Sequence, residues 1–283
     1  GASWRRVDNN NFSGRTWGIA IDKTNSTVYA AVGYGSNSLY KSTTGEGNWQ
    51  DLFAGNSSRP AAAPYSVAID PYNNNHLLVT FHTNGGAGQI AESFDAGSTW
   101  KWHNDGSRWG GGNYVFFLNN SNSWLVASQD PYKGIWKTTD AGASWQRVIN
   151  NAHVHHGATQ LYFSQSTNSY YLALSQGIFK SSNNGSSWQQ VLKSPGDSVW
   201  PKEGYMAISG DGTKIVTHLA NLGAGTTIAG PQPYMVADES NGTNWRAYNS
   251  QTFSNGASQI DYDPNTKTFF SSNWGAGVFK LKS

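Results

Sequence analysis

Short apolar runs and polar turns alternate along the whole chain. Ile19-Ala20-Ile21-Asp22, Val67-Ala68-Ile69-Asp70 and Val115-Phe116-Phe117-Leu118 each lead through an Asn/Asp/Gly turn to a second run, such as Thr27-Val28-Tyr29-Ala30 or His76-Leu77-Leu78-Val79. A third run (Gly134-Ile135-Trp136-Lys137; Gly177-Ile178-Phe179-Lys180) is followed by a glycine turn, a tryptophan and a fourth run. Period-two alternation in runs this short predicts strands. No segment has the spacing of a long amphipathic helix.

The order of runs repeats. Trp4, Trp49, Trp100, Trp145, Trp188 and Trp245 hold the same place in it, at intervals of 45, 51, 45, 43 and 57 residues, and passing from Trp245 through the C-terminus to Trp4 adds 42. Four short strands per roughly 45 residues make one propeller blade. The expected fold is all-β: a single six-bladed β-propeller over 1–283 with four antiparallel strands per blade. The blades fall at approximately 5–49, 50–100, 101–145, 146–188, 189–245 and 246–283 plus 1–4. Residues 277–280 read as a third strand and residues 1–4 as the end of its missing turn, so the N-terminal strand is expected to complete the last blade and leave no open edge.

The turns carry a resemblance. Ser93-Phe94-Asp95-Ala96-Gly97-Ser98-Thr99-Trp100 and Thr138-Thr139-Asp140-Ala141-Gly142-Ala143-Ser144-Trp145 resemble the Asp-box (bacterial neuraminidase) repeat, and Ser181 to Trp188 is the same with Asn183 for Asp; Ser42 to Trp49 and Asp238 to Trp245 are degenerate copies. The resemblance implies a propeller of the sialidase and xyloglucanase-like kind. It does not fix a chemistry, since hydrolases, sorting receptors and photosystem assembly factors share the repeat. Physically the box is a turn device: Asp or Asn bonds the backbone ahead of it, Gly supplies a positive φ, and Trp packs between blades. Asp95, Asp140 and the repeat tryptophans are therefore expected to be structural.

Composition narrows the partners. Charged residues are 13% and the net charge is +2 without a Lys/Arg run, which argues against bulk nucleic-acid or anionic-membrane binding. No stretch approaches the roughly 20 apolar residues of a membrane-spanning helix. The absence of cysteine removes disulfides, thiolate metal sites and cysteine nucleophiles. Aromatics at 14% argue against disorder. Sequons at Asn11, Asn25, Asn56, Asn119, Asn184 and Asn241, with a start at Gly1 that lacks an apolar leader, lead us to expect a secreted, monomeric protein.

In a propeller the ligand face is built by the inter-blade loops, here 8–16, 53–65, 103–114, 150–159, 193–205 and 249–258, and by the loops between second and third strands, 33–38, 82–89, 129–134, 175–177, 218–235 and 273–277. They hold His82, His103, His153, His155, His156 and His218, six of the seven histidines. They also hold Arg15, Arg59, Arg108 and Lys202, the aromatics Tyr34, Trp109, Trp200 and Trp274, and only the acids Asp8, Asp105, Asp130, Asp197 and Glu203. Aromatics for stacking, with cations and few acids, suit an acidic polysaccharide or glycan. The framework repeats while these loops differ from blade to blade. That favours one composite site, and so an enzyme, over a multivalent lectin.

Three readings stay open. Glycoside hydrolysis, to which the resemblance points, needs two carboxyls, and Asp130 and Glu203 are the candidates with Asp105 in reserve. In its sialidase form the resemblance implies an arginine cluster, for which Arg15, Arg59 and Arg108 stand, and a Tyr activated by Glu, as Glu203 lies near Tyr205. Polysaccharide lyase chemistry on a uronate needs a cation on the carboxylate and His or Tyr as base and acid, from His82, His156, His218 and Tyr34. Arg15, Arg59, Arg108, Trp109, Trp200, Trp274 and Lys202 would bind substrate in either case. The third reading is a non-catalytic lectin. No cofactor is implied, and His153-Val154-His155-His156 has no recognised metal spacing.

Overall fold

The computed structural model describes every residue except 1–4, 9–11, 57–61, 83–87, 105, 156–157, 196–198, 202, 222–230 and 283. Six antiparallel sheets follow one another along the chain, the architecture of a six-bladed β-propeller. The first is β1 (Arg15–Ile21), β2 (Val28–Gly33), β3 (Ser38–Ser42) and β4 (Gln50–Asp51). The second is β5 (Ala63–Asp70), β6 (Asn73–His82), β7 (Ile90–Ser93) and β8 (Lys101–His103). A four-residue helix, α1 (Gly106–Trp109), precedes the third: β9 (Tyr114–Phe117), β10 (Trp124–Ala127), β11 (Ile135–Thr138) and β12 (Gln146–Ile149). The fourth is β13 (Leu161–Ser164), β14 (Ser169–Leu174), β15 (Gly177–Ser181) and β16 (Gln189–Lys193), and the fifth is β17 (Glu203–Gly210), β18 (Lys214–Asn221), β19 (Tyr234–Asp238) and β20 (Arg246–Ala247). The sixth has three described strands, β21 (Ala257–Asp263), β22 (Thr268–Asn273) and β23 (Gly277–Lys282). Its expected fourth strand falls on residues 1–4, outside the described residues.

The chain divides into two compact units, Gly1–Ser128 with Trp136–Gln146, and Gln129–Ile135 with Arg147–Ser283. In the first, Tyr29, Leu39, Phe53, Leu77, Val79 and Phe81 form one core, and Leu78, Trp109, Val115 and Trp124 another. In the second, Tyr171, Ile178, Ile208 and Ile215 form a core, and Val216, Tyr234, Phe253, Ile260 and Phe269 a further one. Each fully buried side chain of this size contributes roughly 1.5–3 kcal/mol. Gln160 ties three sheets of the second unit together: its Oε1 accepts from the amides of Ile208 (3.1 Å) and Ile260 (2.9 Å), and its Nε2 donates to the Ile260 carbonyl (3.0 Å).

The glycine turns have one geometry in three copies. Ser93 Oγ donates to Asp95 (2.8 Å), Gly97 N–H donates to Ser93 Oγ (2.9 Å), and Thr99 donates to the Asp95 carboxylate from its amide (2.8 Å) and hydroxyl (2.6 Å). Thr138, Gly142, Ser144 and Asp140 repeat these bonds, which hold the Asp140 carboxyl down to about 2, Ser144 being the main cause. At the third copy the Asn183 amide donates to Ser187 Oγ instead, because an amide nitrogen stands where the second carboxylate oxygen would be. Ala96, Ala141 and Asn184 sit at φ of 53–56°, and the following glycines at still larger positive φ, so the chain makes two successive left-handed steps. Trp145 and Trp188 close their turns by donating to Gly142 and Gly185 carbonyls.

Two residues expected to act on or bind the substrate, Trp109 and His218, are core instead. α1 turns the Trp109 ring inward, where it is fully buried, edge-on to Trp145 at 4.7 Å, with Ser128 Oγ on the Trp109 carbonyl. His218 lies on β18, fully buried beside Tyr234 and Phe253, with ring nitrogens facing the carbonyls of Leu219 (2.6 Å) and Gln232 (2.9 Å). Neither side chain has surface with which to touch a ligand.

Candidate functional site

In the first unit, Tyr34, just after β2, and His82, the last residue of β6, come together. Tyr34 Oη lies 3.5 Å from His82 Nδ1, although the residues are 48 apart in sequence. Tyr34 is 51% exposed and sits at φ 56°, a strained conformation for a non-glycine residue that concentrates at functional positions. Trp17 packs edge-on to it at 5.5 Å, and His82 rests against Tyr65, which in turn meets Tyr114 at 5.2 Å. Partial burial lowers the His82 pKa, favouring the neutral base. Arg15 pairs with Gly33 across β1 and β2, one residue from Tyr34, and is exposed. A base, a hydroxyl acid and a cation thus lie on neighbouring strand ends.

Arg108 is set over the Trp136 ring at 5.2 Å. His103, expected to open a face loop, points into the second sheet and donates from Nε2 to Glu92 (2.9 Å). Glu92 also receives His76 Nε2 (3.1 Å), and His76 Nδ1 meets Asp70 (2.8 Å). This buried chain of alternating carboxylates and imidazoles had no signal in the local sequence, because its members come from four strands.

The second unit gathers a different corner. Trp200 is 55% exposed, and its ring stands edge-on to His153 at 4.8 Å. His153 is buried and shares the field of Asp130 and His155; burial, then the His155 charge, pushes its pKa down to about 4 against the pull of Asp130. Asp130 caps the 130–133 turn, accepting from Tyr132 N–H (2.9 Å), and is half-buried. Glu203 opens β17 just after Trp200 and is half-buried. Trp274, 54% exposed, is carried by the β22–β23 turn and donates its amide to Gly256 (2.9 Å). Arg59, His156, Lys202 and the reserve acid Asp105 lie outside the described residues. Sequence reasoning missed Gln176, whose amide binds His153. Its signal was the brevity of the 175–177 loop, which leaves that side chain little to meet but its neighbours.

No protein-family model matches the chain, and no curated protein matches it in sequence. Among solved structures it is similar to a GH74 enzyme from Niastella koreensis (TM-score 0.68, 20% identity, 98% of this chain and 44% of that one). It is also similar to the GH74 xyloglucanase of Xanthomonas campestris (TM-score 0.69, 17% identity, 98% and 45%) and to YCF48 bound to D1 peptide (TM-score 0.57, 13% identity, 97% and 88%). The likeness is one of fold. The chain spans less than half the length of either GH74 protein.

Proposed function

We propose that the chain is a secreted carbohydrate-active enzyme that cleaves glycosidic bonds of an acidic glycan by hydrolysis. The observation that carries this lies in the second unit, where the exposed Trp200 ring stands against His153, His153 feels the carboxylate of Asp130, and Glu203 follows Trp200 by three residues at the start of β17. Trp200 offers an apolar surface for a sugar ring, and two carboxyls are what hydrolysis requires, one to protonate the leaving oxygen and one to activate water or attack. The fold shared with GH74 hydrolases supports the reading. The cations and scarce acids of the face loops in the sequence support an acidic glycan, and the six sequons support secretion.

A second reading has its own observation, the Tyr34–His82 pair. On a uronate beside Arg15, neutral His82 takes the C5 proton, the C4–O bond breaks as the C4–C5 double bond forms, and Tyr34 returns a proton to the departing oxygen. Incubating the protein with uronate-bearing, sulfated, sialylated and neutral glycans, while following reducing ends and ultraviolet absorbance, separates the two. New reducing ends without absorbance, lost in Asp130→Asn and Glu203→Gln, are expected. An absorbing unsaturated product, lost in His82→Ala, would replace hydrolysis by elimination. Binding without cleavage of any glycan would leave a lectin and overturn both.

A further inference from the structure

Resting on the reading of Trp200 as a sugar platform, we propose that Gln176 is a positioning residue: it locks His153 as a neutral imidazole with its proton on Nε2, and through His153 and Val199 it fixes the Trp200 ring. Gln176 sits at the tip of the β14–β15 hairpin. Its Oε1 accepts from the His153 amide (2.9 Å), and its Nε2 reaches both His153 Nδ1 (2.9 Å) and the carbonyl of Val199 (2.9 Å), the residue before Trp200. The Gln176 backbone carbonyl accepts from Ser194 N–H (2.9 Å) and Gln190 Nε2 (2.7 Å), and Ser175 N–H donates to the His153 carbonyl (2.9 Å). Three loops of the second unit therefore meet on one side chain.

The orientation of the amide follows from its partners. Turned over, Gln176 would set its NH2 against the His153 N–H and its oxygen against the Val199 carbonyl, two contacts between like groups. As it stands, its two hydrogens go to Val199 O and His153 Nδ1. Nδ1 must then be an acceptor, which leaves the ring proton on Nε2. A second proton on Nδ1 would face the amide N–H directly. The charged groups acting on the ring are His155 and Asp130, and burial with the His155 charge outweighs Asp130. A hairpin staple alone would need none of this selectivity. What the lock adds is an aromatic surface whose neighbour keeps one charge state across the neutral range.

The first test uses the native protein: nitrogen-15 NMR of its histidines, with His153 assigned through His153→Asn. The Nε2–H tautomer, unchanged between pH 5 and 8, is expected; an Nδ1–H tautomer or an imidazolium at pH 6 overturns the lock. In Gln176→Glu the carboxylate accepts from Nδ1–H, so the ring takes up its second proton more readily. The Trp200 fluorescence, obtained by difference from Trp200→Phe, should then titrate at least 10-fold lower in proton concentration than in the native protein. A flat profile there overturns the link to Trp200. With whichever pyranoside of the glycan panel the native protein turns over, Gln176→Glu should raise KM roughly tenfold at neutral pH, the scale of one lost stacking contact, with kcat within about twofold. An unchanged KM in a variant whose fluorescence does titrate overturns the positioning role. If the native protein takes no glycan, the glycan reading fails, while the tautomer and the fluorescence still decide the lock.

Discussion

Glu92 in the first unit and Glu239 in the second are carboxylates buried to the same degree and satisfied by opposite means. Glu92 is surrounded by proton carriers, His76, His103 and the more distant Lys101 (3.4 Å). His76 has a carboxylate on each ring nitrogen, so both nitrogens must donate and the ring is an imidazolium, over which Phe94 stacks at 4.5 Å. Among the described residues, Glu239 meets neutral donors: Tyr162 Oη (3.0 Å), Ser166 Oγ (3.2 Å) and Gly212 N–H (2.9 Å). Burial of a charge is costly unless every lone pair is met, and either a cation or a set of fixed dipoles can meet it. The difference is that the first arrangement is built from imidazoles, which carry protons, and the second from hydroxyls and a backbone amide. Each unit also sets a histidine against an exposed aromatic, His82 beside Tyr34 in the first and the buried His153 beside Trp200 in the second.

The largest break in this comparison should come from Glu92→Leu, which leaves two buried imidazoles without their shared acceptor. About 3–5 kcal/mol of stability should be lost, read from the urea midpoint at pH 7. Glu239→Gln should cost less, about 1–3 kcal/mol, because one oxygen is kept and only the Gly212 amide then faces another donor. If the two losses come out equal, the distinction between ionic and dipolar satisfaction falls.

Proton linkage sharpens the contrast. The carboxylate partners raise the His76 pKa in spite of burial, so its contribution is full below about 6.5 and fades as pH rises through the higher folded value. Glu92, held down to about 2 by His103 and His76 against the cost of burial, contributes above about 4.5 and loses that contribution as pH falls toward 2. The network should therefore stabilise most between about pH 4.5 and 6.5. The melting temperature at pH 5.5 should exceed that at pH 8.5 by a few degrees, at about 2–4 °C per kcal/mol, and Glu92→Gln should flatten that slope while Glu239→Gln keeps it. The smallest effects on stability belong to the exposed aromatics. Trp200→Ala and Tyr34→Phe should each stay within about 0.5 kcal/mol of the native protein by urea unfolding. Trp200→Ala should nevertheless weaken glycan binding, whereas Tyr34→Phe should lower turnover about 100-fold only if elimination is the reaction.

The strands, their number per repeat and the turns between them were legible because each depends on neighbours in sequence: alternation marks the pleat, and Asp95, Gly97 and Thr99 close a turn among themselves. Tyr34, Trp200 and Trp274 were legible as exposed for a related reason, since loops between short strands have little core to reach. Trp109 and His218 were not. Loop membership places a backbone, while a four-residue helix or a strand longer than expected decides whether the side chain turns in or out.

The sequence by itself determined the repeat, and with it a six-bladed all-β fold, because hydrophobic period and turn chemistry act over a few residues. Only the tertiary structure decided which polar side chains meet. Tyr34 and His82, Asp70, His76, Glu92 and His103, and Gln176, His153 and Val199 come from different strands and loops, and their encounters depend on strand register and loop path. A pattern read along one dimension carries the spacing of residues within a strand. It does not carry which strand ends converge, and the chemistry of this protein is built from those convergences.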